Sequence, residues 1–146
     1  MRKSPAVLIV DDNPADLDLA REALRDSTRR SQISTAVNGE DALAILRQKG
    51  DGAKHARPDL VILDLNMPRK SGRSVLAELK TDPQLQGIPV VVFSASSLDA
   101  DISHSYDLGA NCYVTKPLNL NDYFTTVRAI EEFWFGVSRL PEGKQC

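Results

Sequence analysis

Three aspartates and a lysine, each placed where a short apolar run ends, are the residues of this chain whose types and spacing could do chemistry. Asp11 and Asp12 close the run 6–10, Asp64 closes 60–63, and Lys116 follows 112–114. Ser94, at the end of 90–93, adds a hydroxyl. Clustered carboxylates repel and raise one another's pKa unless a cation lies among them. A hard divalent ion answers that need, because Mg2+ takes oxygen ligands octahedrally, keeps waters, and asks for few protein carboxylates beside phosphate oxygens. Asp11, Asp12 and Asp64, with the backbone carbonyl of Asn66, suit it as a donor set. A pocket so neutralised admits an anionic phosphoryl donor, and one carboxylate can attack phosphorus to give an acyl phosphate. Asp64 is the best placed nucleophile. Phosphoryl transfer depends on positioning and on neutralising the equatorial oxygens. Lys116, Ser94 and the backbone N–H groups of the Ser94–Ala95 turn supply that cation and those donors.

These residues work together only if one scaffold gathers them. The runs 6–10, 60–63, 90–93 and 112–114 are continuous, which predicts strands covered on both faces, as in a parallel sheet between helices; 33–37 alternates and reads as a weaker strand. Between them lie helical spacings. Leu17, Ala20 and Leu24 follow Pro14, with Asp12 or Asn13 as cap; Ala42, Ile45 and Leu46 follow Asn38; Val75, Leu76 and Leu79 precede Asp82-Pro83. A fourth helix is expected from Ser96, where Ser96 and Asp99 have capping-box spacing, to Gly109, and a fifth from about Leu120. Strand and helix alternate five times, which predicts an α/β doubly wound domain. In such a sheet ligands bind beyond the carboxyl ends of the strands, where strand order reverses. All the candidate residues above fall there.

Composition bounds the rest. The 146 residues, 42% apolar, fit one domain, with a core about 6–137 and a tail 138–146. A net charge of -2 gives no reason to expect nucleic acid or an anionic membrane as partner. Cys112 and Cys146 form no CxxC pair, and the apolar run after Met1 is too short for a signal peptide or span, so a reduced cytoplasmic protein is expected. Segment 49–58 and the tail from Leu140 read as solvated loops, the basic cluster Arg69, Lys70 and Arg73 as a solvated loop, and His104 as exposed. Cys112 occupies a position for a buried small residue. Singly, the site residues have structural readings: helix caps, turn formers, a surface cation. Their convergence on one sheet edge is what sets those readings aside.

The segments Val10-Asp11-Asp12-Asn13, Leu63-Asp64-Leu65-Asn66-Met67-Pro68, Phe93-Ser94-Ala95 and Val114-Thr115-Lys116-Pro117 resemble, in order and spacing, the motifs of response-regulator receiver domains over 6–133. The resemblance implies a flavodoxin-like five-stranded parallel sheet of order 2-1-3-4-5 with five helices. It implies Mg2+ at the acidic pair, phosphorylation of Asp64 by a histidine kinase, and engagement of the phosphoryl group by Ser94 and Lys116. It further implies that Tyr113 turns inward on phosphorylation and that the peptide before Pro117 is cis. The pieces Glu131-Glu132-Phe133-Trp134 and Leu140-Pro141, with the long linker before the third strand, resemble the small stand-alone regulators found beside bacterial phytochromes. That narrower likeness implies a red-light-sensing kinase and a homodimer through the fourth and fifth elements. Tyr123, Val127, Ile130, Phe133 and Trp134 are then candidates for the partner surface. Two rival readings share part of this pattern. A haloacid-dehalogenase-type phosphatase would carry a second acid two residues after its nucleophile, where this chain has Asn66. A pseudo-receiver would lack the intact Asp, Ser and Lys set.

Overall fold

A computed structural model describes residues 4–27, 29–48 and 57–141, so most of the 49–58 linker and the end of the tail lie outside the described residues. The chain runs β1 (Ala6–Val10), α1 (Pro14–Arg25), β2 (Gln32–Ala36), α2 (Gly39–Leu46), β3 (Leu60–Leu63), α3 (Gly72–Thr81), β4 (Val90–Ser94), α4 (Asp99–Asp107), β5 (Cys112–Thr115) and α5 (Leu120–Glu131). All strand pairs are parallel and the order is β2-β1-β3-β4-β5. This is the doubly wound order expected.

Strand alternation divides the core in two. Leu8, Val10, Val61, Leu63, Val90 and Val92 meet α2 and α3 through Leu43, Leu46, Val75, Leu76 and Leu79. Val7, Ile9, Leu60, Ile62, Val91 and Phe93 meet α1 and α5 through Leu17, Ala20, Leu24, Tyr123, Val127 and Ile130. Both faces of the central strands are therefore dry, which is why their sequences read as unbroken apolar runs. Edge strand β2 is only half covered.

The helix starts follow the chemistry of their caps. Asn13 accepts from the Ala15 and Asp16 N–H groups with Pro14 at the first turn; Asn38, Ser71 and Asn119 cap α2, α3 and α5 likewise. The capping box expected for α4 does not form. That helix begins at Asp99 without a side-chain cap, because the Ser96 hydroxyl accepts from Leu98 N–H and donates to Asp101 instead. Gly109, at φ +108°, ends the segment as expected, in a conformation that favours glycine.

Beyond α5 the chain continues as a π-helical stretch, Glu132–Val137, which the sequence pattern did not announce. Arg29, in the loop before β2, ties it down by donating to Glu132 Oε2 at 2.8 Å. Three of the residues expected on a partner surface prove to be core: Tyr123, Val127 and Ile130 are 5%, 0% and 7% exposed. Their spacing describes the face that α5 lays on α1 and the sheet. Phe133 remains half exposed, while Trp134 and Phe135 are partly buried and pack against the same core cluster.

Candidate functional site

The register places the chemistry. Val10 pairs with Leu63 and Leu63 with Val92, so Asp11 and Asp64 emerge side by side from β1 and β3, with Ser94 at the end of β4. This is where β1 hands the chain to β2 on one side and lies against β3 on the other, the switch point at which open α/β sheets bind ligands. Asp11, Asp64 and Ser94 are buried and Asp12 is exposed. Carboxylate oxygens of Asp11, Asp12 and Asp64 lie within 4.8 Å of one another. An all-oxygen anionic set of this kind, open to water at Asp12, fits a hard divalent cation. Asn66 stands exposed in the loop after Asp64.

Lys116 reaches across from the end of β5. Its Nζ donates to Asp11 Oδ2 at 2.6 Å, Asp16 Oδ2 at 2.9 Å and Asp64 Oδ2 at 3.2 Å. Ser94 Oγ donates to Asp64 Oδ1 at 2.9 Å, so both Asp64 oxygens are held. Burial works to lower the Lys116 pKa, but the hydrogen bonds to Asp11 and Asp16 outweigh it and hold the ammonium charged well above the usual range. Burial pushes the Asp11 carboxyl above its ordinary value, against the opposing hydrogen bonds from Lys116 and Asn13 N–H. Asp16 is the participant that sequence reasoning passed over. An acid in a first helical turn is ordinarily read as a complement to the helix dipole, and only its place four residues after Asp12 hinted at more.

The Lys116–Pro117 bond is trans, contrary to expectation, since no described peptide is cis. Trans is the lower-energy isomer of X–Pro, and every Lys116 contact is made with it, including the backbone bond from Lys116 N–H to Ser94 carbonyl at 2.8 Å. Tyr113 is half-buried against the α3 side of the core, and its hydroxyl donates to the Ser96 carbonyl at 2.7 Å. Burial raises its pKa, opposed by hydrogen bonding at Ser96.

The loop after Asp64 is shaped for close approach. A Cβ on Gly72 would stand 2.0 Å from the Asp64 carbonyl oxygen, and Gly72 N–H donates to Leu65 carbonyl at 2.9 Å. Arg69 and Lys70 both adopt positive φ. The basic cluster is paired rather than simply solvated: Arg69 to Glu40, Lys70 to Glu78 and Arg73 to Asp101. His104 is exposed as expected. Cys112 is intermediate rather than buried, because β5 is an edge strand.

A 2-1-3-4-5 parallel sheet with an aspartate cluster, a hydroxyl and a lysine at its carboxyl edge is the architecture of a phosphoacceptor signalling domain. The chain belongs to the response regulator receiver domain family, whose model matches residues 7–128. That membership sets aside the phosphatase reading. Response regulator Rcp1 of Synechocystis sp. (strain ATCC 27184 / PCC 6803 / Kazusa) is 44% identical over 92% of this chain and 92% of its own length. Among solved structures, the phosphorylated cyanobacterial phytochrome response regulator RcpA is 50% identical, with a TM-score of 0.90 over 96% of this chain and 100% of that one. The Mn(2+)-bound form of Rcp1 is 43% identical, with a TM-score of 0.87 over 94% and 99%. Among the described residues no helix is long and apolar enough to cross a membrane.

Proposed function

We propose that Asp64 accepts a phosphoryl group from the phosphohistidine of a histidine kinase and that the acyl phosphate is the signal. The observation that supports this most is the state of Asp64. It is buried, with Oδ1 on the Ser94 hydroxyl and Oδ2 on the Lys116 ammonium, and it lies beside Asp11. Mg2+ held by Asp11, Asp12, Asp64 and the Asn66 carbonyl would neutralise the carboxylates against the incoming phosphoryl oxygens. An Asp64 oxygen attacks phosphorus as the P–N bond breaks, and the electron pair returns to the imidazole nitrogen. No proton is gained or lost at Asp64. Lys116 and Ser94 then face phosphoryl oxygens in place of the carboxylate oxygens they now hold.

Tyr113 is the residue that reads the change. Its hydroxyl bond to Ser96, two residues beyond Ser94, supports coupling between the phosphoryl site and the edge of the sheet. Residues 1–146 act as one cytoplasmic receiver domain, whose likeness to the cyanobacterial phytochrome response regulator RcpA supports a phytochrome-type kinase as donor. A second copy of the chain is the partner of the 4-5 face. Beside edge strand β5, an apolar groove of about 370 Å³ is lined by Cys112, Val114, Ala129, Ile130, Phe133 and Trp134, and Phe133 and Val137 stand 50% and 69% exposed. Incubation with a phosphorylated red-light-sensing histidine kinase is the test of the donor. Transfer of label within seconds, faster than to unrelated receivers, supports it, and transfer no faster than from unrelated kinases refutes it. Sedimentation velocity tests the dimer, which Phe133→Asp should dissociate.

A further inference from the structure

α4 is held differently from the other helices. α1, α2, α3 and α5 each bury four residues, whereas Ser105 is the buried residue of α4. Apolar burial therefore does little to fix its place, and it has no side-chain cap. Polar ties do that work, and they form a continuous chain. Arg73 Nη2, in the first turn of α3, donates to Asp101 Oδ1 at 2.7 Å. Asp101 Oδ2 accepts from Ser96 Oγ at 2.5 Å, a charge-assisted bond at the short end of the range. The same Ser96 oxygen accepts from Leu98 N–H at 3.2 Å, and the Ser96 carbonyl accepts from the Tyr113 hydroxyl at 2.7 Å. The chain thus crosses from α3 through α4 and the β4–α4 loop to β5. The Asp101 carboxyl sits below its ordinary pKa, first through the Ser96 hydrogen bond and then through the Arg73 charge.

We infer that Arg73 and Asp101 are positioning residues of the Tyr113 switch: their ion pair, relayed through Ser96, holds the β4–α4 loop where its carbonyl receives the Tyr113 hydroxyl. The inference rests on the reading of Tyr113 given above and adds a device to it. By holding Ser96, the pair favours the inward tyrosine in the unphosphorylated chain and so makes phosphorylation easier. Neither residue touches the phosphoryl site, and Arg73 lies nine positions after Asp64 on a separate element.

The full chain, with 3-fluorotyrosine incorporated and the Tyr113 resonance assigned through Tyr113→Phe, reports the tyrosine's position by fluorine NMR. Labelling of Asp64 by acetyl phosphate reports the coupling. Arg73→Ala and Asp101→Ala should each move the unphosphorylated Tyr113 resonance away from its beryllofluoride-bound position and slow labelling about three- to fivefold, the range open to a partly exposed pair. Arg73→Lys should restore most of both. In a Tyr113→Phe background Arg73→Ala should change the labelling rate little, because the relay has lost its end, whereas a merely structural ion pair would act equally in both backgrounds. A wild-type resonance that responds to beryllofluoride but is unmoved by both alanine variants would overturn this inference alone. A wild-type resonance indifferent to beryllofluoride would overturn the Tyr113 switch and this inference with it.

Discussion

Replacing Lys116 by Met isolates the electrostatics of the site. Side-chain exposures are 11% for Lys116, 6% for Asp11 and 10% for Asp64, so the ammonium and two of its partners are nearly out of water. Removing one member of a buried ion pair costs about 3–5 kcal/mol, because the remaining charge is left uncompensated. Asp16 is more open at 22%, and the Asn13 N–H and Ser94 hydroxyl still serve Asp11 and Asp64, which sets the expected loss near the lower bound. A loss of about 3 kcal/mol corresponds to a fall of about 6–12 °C in Tm for a domain of this size. Urea unfolding followed by Trp134 fluorescence and circular dichroism, in EDTA at neutral pH, measures it. The pH dependence carries a sign. The raised Lys116 pKa means its stabilisation is fully present below its ordinary value of 10.5 and is lost only as pH climbs through the still higher folded value. Its own titration therefore does not enter between about pH 4 and 8. Asp11 is already raised above 3.8 by burial, and loss of the Lys116 hydrogen bond raises it further, so the folded variant binds that proton more tightly than the unfolded chain. The deficit should be full above the folded Asp11 value and close as pH falls through it toward 3.8. Mg2+ should stabilise the variant more than the parent, since Nζ no longer competes for the same oxygens. A variant as stable as the parent at neutral pH, or a deficit that widens in acid, would refute the reasoning.

Three further substitutions probe the surroundings. Ser94→Ala removes the donor 2.9 Å from Asp64 Oδ1 and should lower stability by about 1.5–3 kcal/mol in the absence of metal, measured by urea unfolding. Gly72→Ala brings a Cβ to 2.0 Å from the Asp64 carbonyl oxygen and 2.7 Å from Leu65 Cα, backbone atoms that cannot swing aside. Thermal unfolding should show a loss of about 2–3 kcal/mol, with slower labelling by acetyl phosphate. Arg29→Ala removes the guanidinium 3.9 Å from the carboxylate of Glu131, 3% exposed, which also accepts from the Ser31 hydroxyl at 3.3 Å. The expected loss is about 1–2 kcal/mol, below that of a fully buried pair because Arg29 is itself partly open, and Glu131→Gln should recover part of it.

The strands and the first two helix starts were legible because dry central strands write themselves as unbroken aliphatic runs, and because Asn13 and Asn38 cap in the usual way, whereas the Ser71 and Asn119 caps emerge only in the structure. The site was legible because its residues fall immediately after those strands. What escaped depends on long-range geometry. Asp16 joins the site only because α1 packs where Lys116 can reach it, and the start of α4 shifted because Ser96 found Asp101 instead of capping. Tyr123, Val127 and Ile130 are candidates for a partner surface from sequence, but helix spacing says only that a face is apolar. Packing on α1 decided that it is core. The π-helical stretch 132–137 leaves no periodic signal that distinguishes it from a continuing α-helix.

The most direct test of the central claim is chemical location of the phosphoryl group. After incubation with acetyl phosphate and Mg2+, borohydride reduction converts an acyl phosphate to homoserine, which peptide mass spectrometry can place. The account predicts homoserine at position 64, dependence on Mg2+, and no labelling of Asp64→Asn. Equal labelling of that variant, or reduction at another aspartate in the wild type, would contradict it.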